Sequence, residues 1–229
     1  NYRSFKIIYT QNPYANLEFI TQQQQILPTD IFAQEYLGEF VDSTGIFKYI
    51  DEVSNLSKQN APVYGKQYVI GVDIAFKKDY TVAICFDLDG NMVDYIRFNQ
   101  VDTAQMETNL KSFFNKWSPR KIVIEENNQG IPVIDNLRRL GVSNIENFQT
   151  NPKTKNELIN KFMAAFNNRE LNIINEELIK DEFKAFSYSI TSSGNVTFAA
   201  AYGHDDIVMS SAFAYHAIIN TRWATPVFM

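Results

Sequence analysis

The segment Tyr68-Val69-Ile70-Gly71-Val72-Asp73-Ile74-Ala75 constrains the fold more than any other, being a strongly apolar strand interrupted by a carboxylate. A second apolar run, Lys121-Ile122-Val123-Ile124-Glu125, also closes on an acid, and Glu126 follows it. In sheet-based α/β folds, the C-terminal edge of a central strand is the usual position for an active site. If the two strands lie side by side, Asp73 and Glu125 come within a few ångströms of each other. A further pair of acids, Asp205-Asp206, opens a helix whose expected interior face is Val208, Ala212, Tyr215 and Ile219.

Carboxylates brought that close repel one another unless a cation neutralises them. Hard oxygen donors favour magnesium or manganese over zinc. Two such ions about 4 Å apart can activate water and stabilise the leaving oxygen of a phosphodiester. Each acid also has a structural role to weigh. Asp205 suits a helix N-cap, although a cap needs only one of the two aspartates. Glu126 faces the opposite side of its strand from Glu125, because strand side chains alternate, and is better read as solvated or hydrogen-bonded. Asp79 reads as a turn residue between strands. His204 stands beside the acids, either to assist protonation or position water, or as an ordinary polar loop residue. The basic loop Asn151-Pro152-Lys153-Thr154-Lys155-Asn156 leaves Lys153 and Lys155 either on phosphates or solvated. His216 reads as structural, and the stripe Phe113, Phe114 and Trp117 as core.

Three zones follow along the chain. Residues 1–60 form an arm: Asn12-Pro13, the glutamine run Gln22 to Gln25, and a short helix from Asp30 as N-cap to Phe40. Lys58-Gln59-Asn60-Ala61-Pro62 marks a boundary, so that residues 61–229 make the main domain. Residues 66–150 read as β-β-β-α-β-α-β, with Asp89-Gly90 as a hairpin turn and a helix from Asp102 to Trp117. Beyond them come two helices (156–168 and 176–183), a hairpin turning at Ser193-Gly194-Asn195, and a last helix from about Asp205 to Asn220.

The composition, with 45% hydrophobic and 21% charged residues, is that of a globular protein. No run of about 18 apolar residues is present to span a membrane. The lone cysteine, Cys85, excludes an internal disulfide or cysteine-built zinc site. The opening Asn1-Tyr2-Arg3 has neither initiator Met nor signal pattern and reads as the start of a piece of something longer. A net charge of −5 argues against a broad DNA-gripping face, since phosphate binding ordinarily uses basic surface. Clustered carboxylates would themselves contribute to that charge.

Four motifs taken in order resemble the nuclease domain of tailed-bacteriophage (or prophage) terminase large subunits. They are Gly71-Val72-Asp73-Ile74-Ala75, Asp79-Tyr80-Thr81, Ile124-Glu125-Glu126-Asn127-Asn128-Gln129-Gly130 and Gly203-His204-Asp205-Asp206-Ile207-Val208-Met209-Ser210. The similarity runs from about residue 10 to 220, and residues 1–60 resemble the end of the packaging ATPase region. The resemblance implies an RNase H-like (RuvC/integrase-type) mixed sheet flanked by helices, with an added β-hairpin that lies near the DNA path. It implies a metal-dependent endonuclease that cuts concatemeric double-stranded DNA by two-metal-ion hydrolysis. Asp73 and Glu125 match the first two ligands. The third lies in the Asp205-Asp206 pair, with Asp206 favoured and the choice left open. Implied partners are DNA, the ATPase domain of the full chain, the terminase small subunit and the portal, in the host cytoplasm. ATP hydrolysis is not expected here, because no G-x-x-x-x-G-K-[ST] loop is present in these residues. Rival readings are a junction resolvase or other RNase H-like nuclease and a non-catalytic portal-docking module. An actin-like ATPase or sugar kinase is disfavoured, because only 9 glycines are present and none cluster.

Overall fold

The computed structural model describes residues 7–26, 29–39, 45–75, 79–126, 130–191 and 196–223. They fall into two units, Asn1–Thr44 and Gly45–Met229. In the smaller unit, helices α1 (Leu17–Ile26) and α2 (Thr29–Leu37) follow a short turn at Tyr9–Gln11. The Asn16 side chain accepts the Phe19 N–H at 3.0 Å, capping α1, and Phe32 stacks on Tyr36 at 4.9 Å. Asp30, expected as the cap of α2, lies inside that helix.

The larger unit contains α3 (Ile50–Val53), β1 (Ser54–Leu56), β2 (Tyr68–Asp73), β3 (Thr81–Asp87), β4 (Met92–Phe98), α4 (Thr103–Trp117), β5 (Lys121–Glu125), α5 (Gly130–Arg139) and β6 (Ile145–Phe148). It continues with α6 (Pro152–Asn167), β7 (Ile173–Ile174), α7 (Glu177–Ala185), β8 (Phe186–Ile190), β9 (Val196–Ala200) and α8 (Asp206–Trp223). The division into units falls before Gly45. The reason is packing. Phe47 is buried against the rings of Phe162, Phe166, Phe183 and Phe186 at 4.9 to 5.8 Å, and β1 pairs in parallel with β7. Burying one such phenylalanine contributes about 1.5–3 kcal/mol, which fixes the segment to this unit.

The central sheet has the order β4-β3-β2-β5-β6. Its first three strands form an antiparallel meander, while β5 and β6 run parallel to β2. Asp87-Leu88-Asp89-Gly90 turns β3 into β4, with Gly90 at φ +95°, a conformation that favours glycine. Alternation along the strands assigns their faces. Ile70, Val72, Ala83, Cys85, Ile122 and Ile124 join Met106, Leu110, Phe113, Phe114 and Trp117 of α4 and Val133, Ile134 and Leu137 of α5 in one core. The opposite face carries α8, which crosses β2, β3 and β5 and is backed by α6 and α7.

Because α8 is covered on several sides, its burial is wider than the expected stripe. Ile207, Phe213, Ala214, Ala217 and Ile218 are buried along with Val208 and Ala212, whereas Tyr215 and Ile219 are half-buried. The expected hairpin turn at Ser193-Gly194-Asn195 lies outside the described residues. Among the described residues, no helix is long and apolar enough to cross a membrane.

Candidate active site

Alternation and register bring the first two acids together. Val72 pairs with Ile124, so the next residues, Asp73 and Glu125, end neighbouring parallel strands. Ile122 and Ile124 face the α4–α5 core, which turns Glu125, like Asp73, toward α8. The two carboxyls are near enough that, after burial, the Glu125 charge helps raise the Asp73 carboxyl above its ordinary range. Glu126 donates its backbone N–H to the Phe148 carbonyl at 2.8 Å, extending the β5–β6 ladder.

The third acid arrives with α8, and a glycine allows it to come close. A Cβ on Gly71 would overlap the Ser210 carbonyl oxygen and the Ala214 amide nitrogen, so α8 rests with its backbone directly on β2. Ser210 then locks the contact. Its hydroxyl accepts the Asp73 N–H at 3.2 Å and donates to the Val82 carbonyl at 3.0 Å. The N-terminus of α8, carrying Asp206 in its first turn, therefore points at the ends of β2 and β5. That helix end is itself favourable to negative charge.

Asp205 and Asp206 are held differently. Asp206 is buried, accepts the Tyr80 N–H at 3.3 Å, and has His204 Nδ1 3.7 Å away. Asp205 occupies the backbone cap position, its carbonyl accepting the Met209 N–H, while its carboxylate lies 3.7 Å from Lys155 Nζ. The side chain that hydrogen-bonds the start of α8 is Glu182 of α7, which accepts the Ile207 N–H at 2.9 Å.

The electrostatics are those of crowded anions. Burial first, then the charges of Glu125, Asp206 and Asp205, hold the Asp73 carboxyl well above the ordinary carboxylate range. Asp206 is pushed up to about 6, chiefly by burial, with the Tyr80 N–H and His204 opposing. Glu182 rises to about 7, again through burial, against the pull of the Ile207 N–H and Arg97. Among the described residues, no three histidine, cysteine, aspartate or glutamate side chains are grouped closely enough to hold a metal ion as they stand. The donor chemistry nevertheless fits a hard divalent cation. Carboxylates from β2, β5 and the start of α8 face the same end of the sheet, no sulfur is among them, and the mutual repulsion that helps raise the Asp73 carboxyl is what a cation would relieve.

The other expected residues sort by position. His204 sits between Asp206 and Asp79, 3.8 Å from the Asp79 carboxylate, with its ring edge-on to Tyr80 at 5.1 Å. Asp79, read from sequence as a turn residue, thus also faces the cluster. Lys155 reaches the site through Asp205, whereas Lys153 is exposed, its backbone N–H bonded to the capping Asn151. His216 lies away from the acids, 2.9 Å from Glu146. Glu182 was not foreseen. The available signal was an acid between Ile179 and Phe183, on the apolar side of a helix.

The family model for the terminase RNase H-like domain matches residues 70–217, which include Asp73, Glu125, Asp205 and Asp206. The chain belongs to the terminase RNase H-like family. This terminase domain is 29% identical over 209 residues to the terminase large subunit of Thermus virus P23-45 and 28% identical to that of Thermus phage G20c. The matches cover 86% of the chain but 43% of either relative, so the domain spans less than half of their length. The crystal structure of the phage G20c large terminase nuclease with bound magnesium superposes at a TM-score of 0.69 with 26% identity, covering 77% of this chain and 98% of that one. The Thermus phage P74-26 nuclease domain gives 0.65 and 26%, covering 75% and 94%. The large terminase of bacteriophage HK97, at 10% identity and a TM-score of 0.58, shares the fold over 91% of this chain and 51% of its own. The expected RNase H-like α/β architecture is therefore borne out.

Proposed function

We propose that this terminase domain is a metal-dependent endonuclease that cuts concatemeric double-stranded viral DNA with little sequence preference. The observation that supports this reading is that Asp73 and Glu125 end neighbouring strands and that the charges of Glu125, Asp206 and Asp205 all bear on the Asp73 carboxyl, inside the family-matched region. Asp73, Glu125 and Asp206 would hold magnesium or manganese, two ions in all, with Asp205 contributing at the edge. Support for a divalent ion also comes from the G20c nuclease, which was solved with magnesium. Bound ions would supply Lewis-acid activation of water and stabilisation of the departing oxygen.

The chain's own residues would do the rest. Half-buried Asp73 and Glu125 and buried Asp206 would fix the ligand geometry, and the α8 N-terminus would support their charge. His204, within 4 Å of Asp206 and Asp79, would hold a proton at Nδ1 or orient water beside the scissile phosphate. Lys155 and Lys153 would meet the DNA backbone, and the β8–β9 hairpin would flank it. Glu126, on the other face of β5, would stay outside the ligand set. Residues 1–60 would continue from the ATPase region of the full-length chain. The small subunit, the portal and that ATPase would hold DNA that a domain of this charge grips weakly, in the host cytoplasm.

The test is plasmid cleavage by the purified chain in manganese or magnesium, with chelation and Asp73→Asn as controls. Cleavage by the wild type that chelator and the substitution abolish is expected. Unchanged cleavage by Asp73→Asn would overturn the site, and an inert wild type with intact metal binding would favour the portal-docking reading.

A further inference from the structure

Behind Asp206 lies a closed circuit of contacts drawn from four separate stretches of chain. Glu182 of α7 accepts the Ile207 N–H of α8 at 2.9 Å with one carboxylate oxygen. Its other oxygen is 3.5 Å from Arg97 Nη2 of β4 and has no hydrogen-bond partner. The Arg97 guanidinium lies 3.3 Å from the centre of the Tyr80 ring. Tyr80, just before β3, gives its backbone N–H to Asp206, the residue preceding Ile207. Both charged side chains are sequestered, Glu182 at 7% exposure and Arg97 at 15%. A sheet edge and the end of a strand are thereby joined to the first turn of α8.

A buried charge pair is a poor source of stability, because desolvation offsets most of the attraction between the two groups. Its surer effect is to fix geometry. Glu182 satisfies an N–H in the first turn of α8, where Asp205 holds the cap position but turns its carboxylate to Lys155. Arg97 braces the Tyr80 ring, and with it the amide that aims the Asp206 carboxylate. Groups that orient a metal-binding carboxylate without touching the ion commonly set its affinity.

We propose that Glu182 is a positioning residue for the metal site, acting through Ile207 and, by way of Arg97 and Tyr80, on the Asp206 carboxylate. This role rests on the metal-site reading under Proposed function. It makes Glu182 neither a ligand nor a proton carrier.

The test is manganese binding to the intact chain, followed by the electron paramagnetic resonance signal of free Mn2+, with circular dichroism to check the fold. Glu182→Ala removes the acceptor and the charge, and its Mn2+ dissociation constant is expected to rise about 10- to 100-fold. Glu182→Gln keeps an acceptor for Ile207 and loses the charge facing Arg97, so its rise should be smaller but at least about fivefold. If Glu182→Ala does not fold, Glu182→Gln decides alone. A folded variant that binds Mn2+ as tightly as the wild type would overturn the positioning role. A wild type that binds no Mn2+ would instead sink the site reading on which this role depends.

Discussion

At the scale of single residues, the two neighbouring aspartates are held differently. Asp206 is buried and held by the Tyr80 N–H, whereas Asp205 is 29% exposed and answers Lys155. Asp206→Asn should lower manganese-dependent cleavage by more than about 100-fold, as expected on losing a group that holds the charge-stabilising ion. Asp205→Asn should cost markedly less and act mainly on DNA affinity by freeing Lys155. Turnover and binding measured separately distinguish the two, and equal losses in turnover would refute the division. Asp73 was legible in the sequence because nothing structural accounts for an acid in so apolar a strand. The roles of Asp205 and Asp206 were not, since adjacent identical side chains differ only in what the fold sets beside them. Asp79 was hidden for a related reason: its turn position is true, yet the turn brings it to His204.

Among the elements, the placement of α8 on the sheet decides whether the site exists. Gly71 permits the backbone contact, so Gly71→Ala should push the helix away or unfold the domain. The expected loss is about 3 kcal/mol or more, at the upper end for overpacking, and denaturant melts would measure it. A stable Gly71→Ala protein with normal Mn2+ binding would show that the close approach is dispensable. The strands and helices around the site were readable because their signals are local. Asp102 does cap α4, accepting the Gln105 N–H at 2.7 Å, and the apolar runs of β2 and β5 end at their acids. α1 was missed because its glutamine run gives little amphipathic contrast. The β1–β7 ladder joins strands of three and two residues from distant parts of the chain, with no pattern long enough to detect. Glu182 depends on the same kind of distant meeting, across the α7–α8 contact.

For the whole molecule, carboxyls held protonated by burial make stability depend on pH in a definite direction. Asp206 titrates at about 6 and Glu182 at about 7 in the folded chain, and Asp73 is also raised. The folded state therefore keeps protons that the unfolded chain has lost. This contribution is complete below the unfolded values near 4 and disappears as the pH rises through about 6 to 7. The metal-free protein should melt higher at about pH 5 than at about pH 7.5, and Mn2+ should raise the melting temperature more at the higher pH, where the ligands ionise readily. A melting temperature indifferent to both would deny that the acids form a strained cluster. The most direct measurement is the anomalous diffraction of crystals soaked in manganese. The expected result is a peak bounded by the carboxylates of Asp73, Glu125 and Asp206. Ordered crystals with no peak there, or with manganese held elsewhere, would contradict the proposed site.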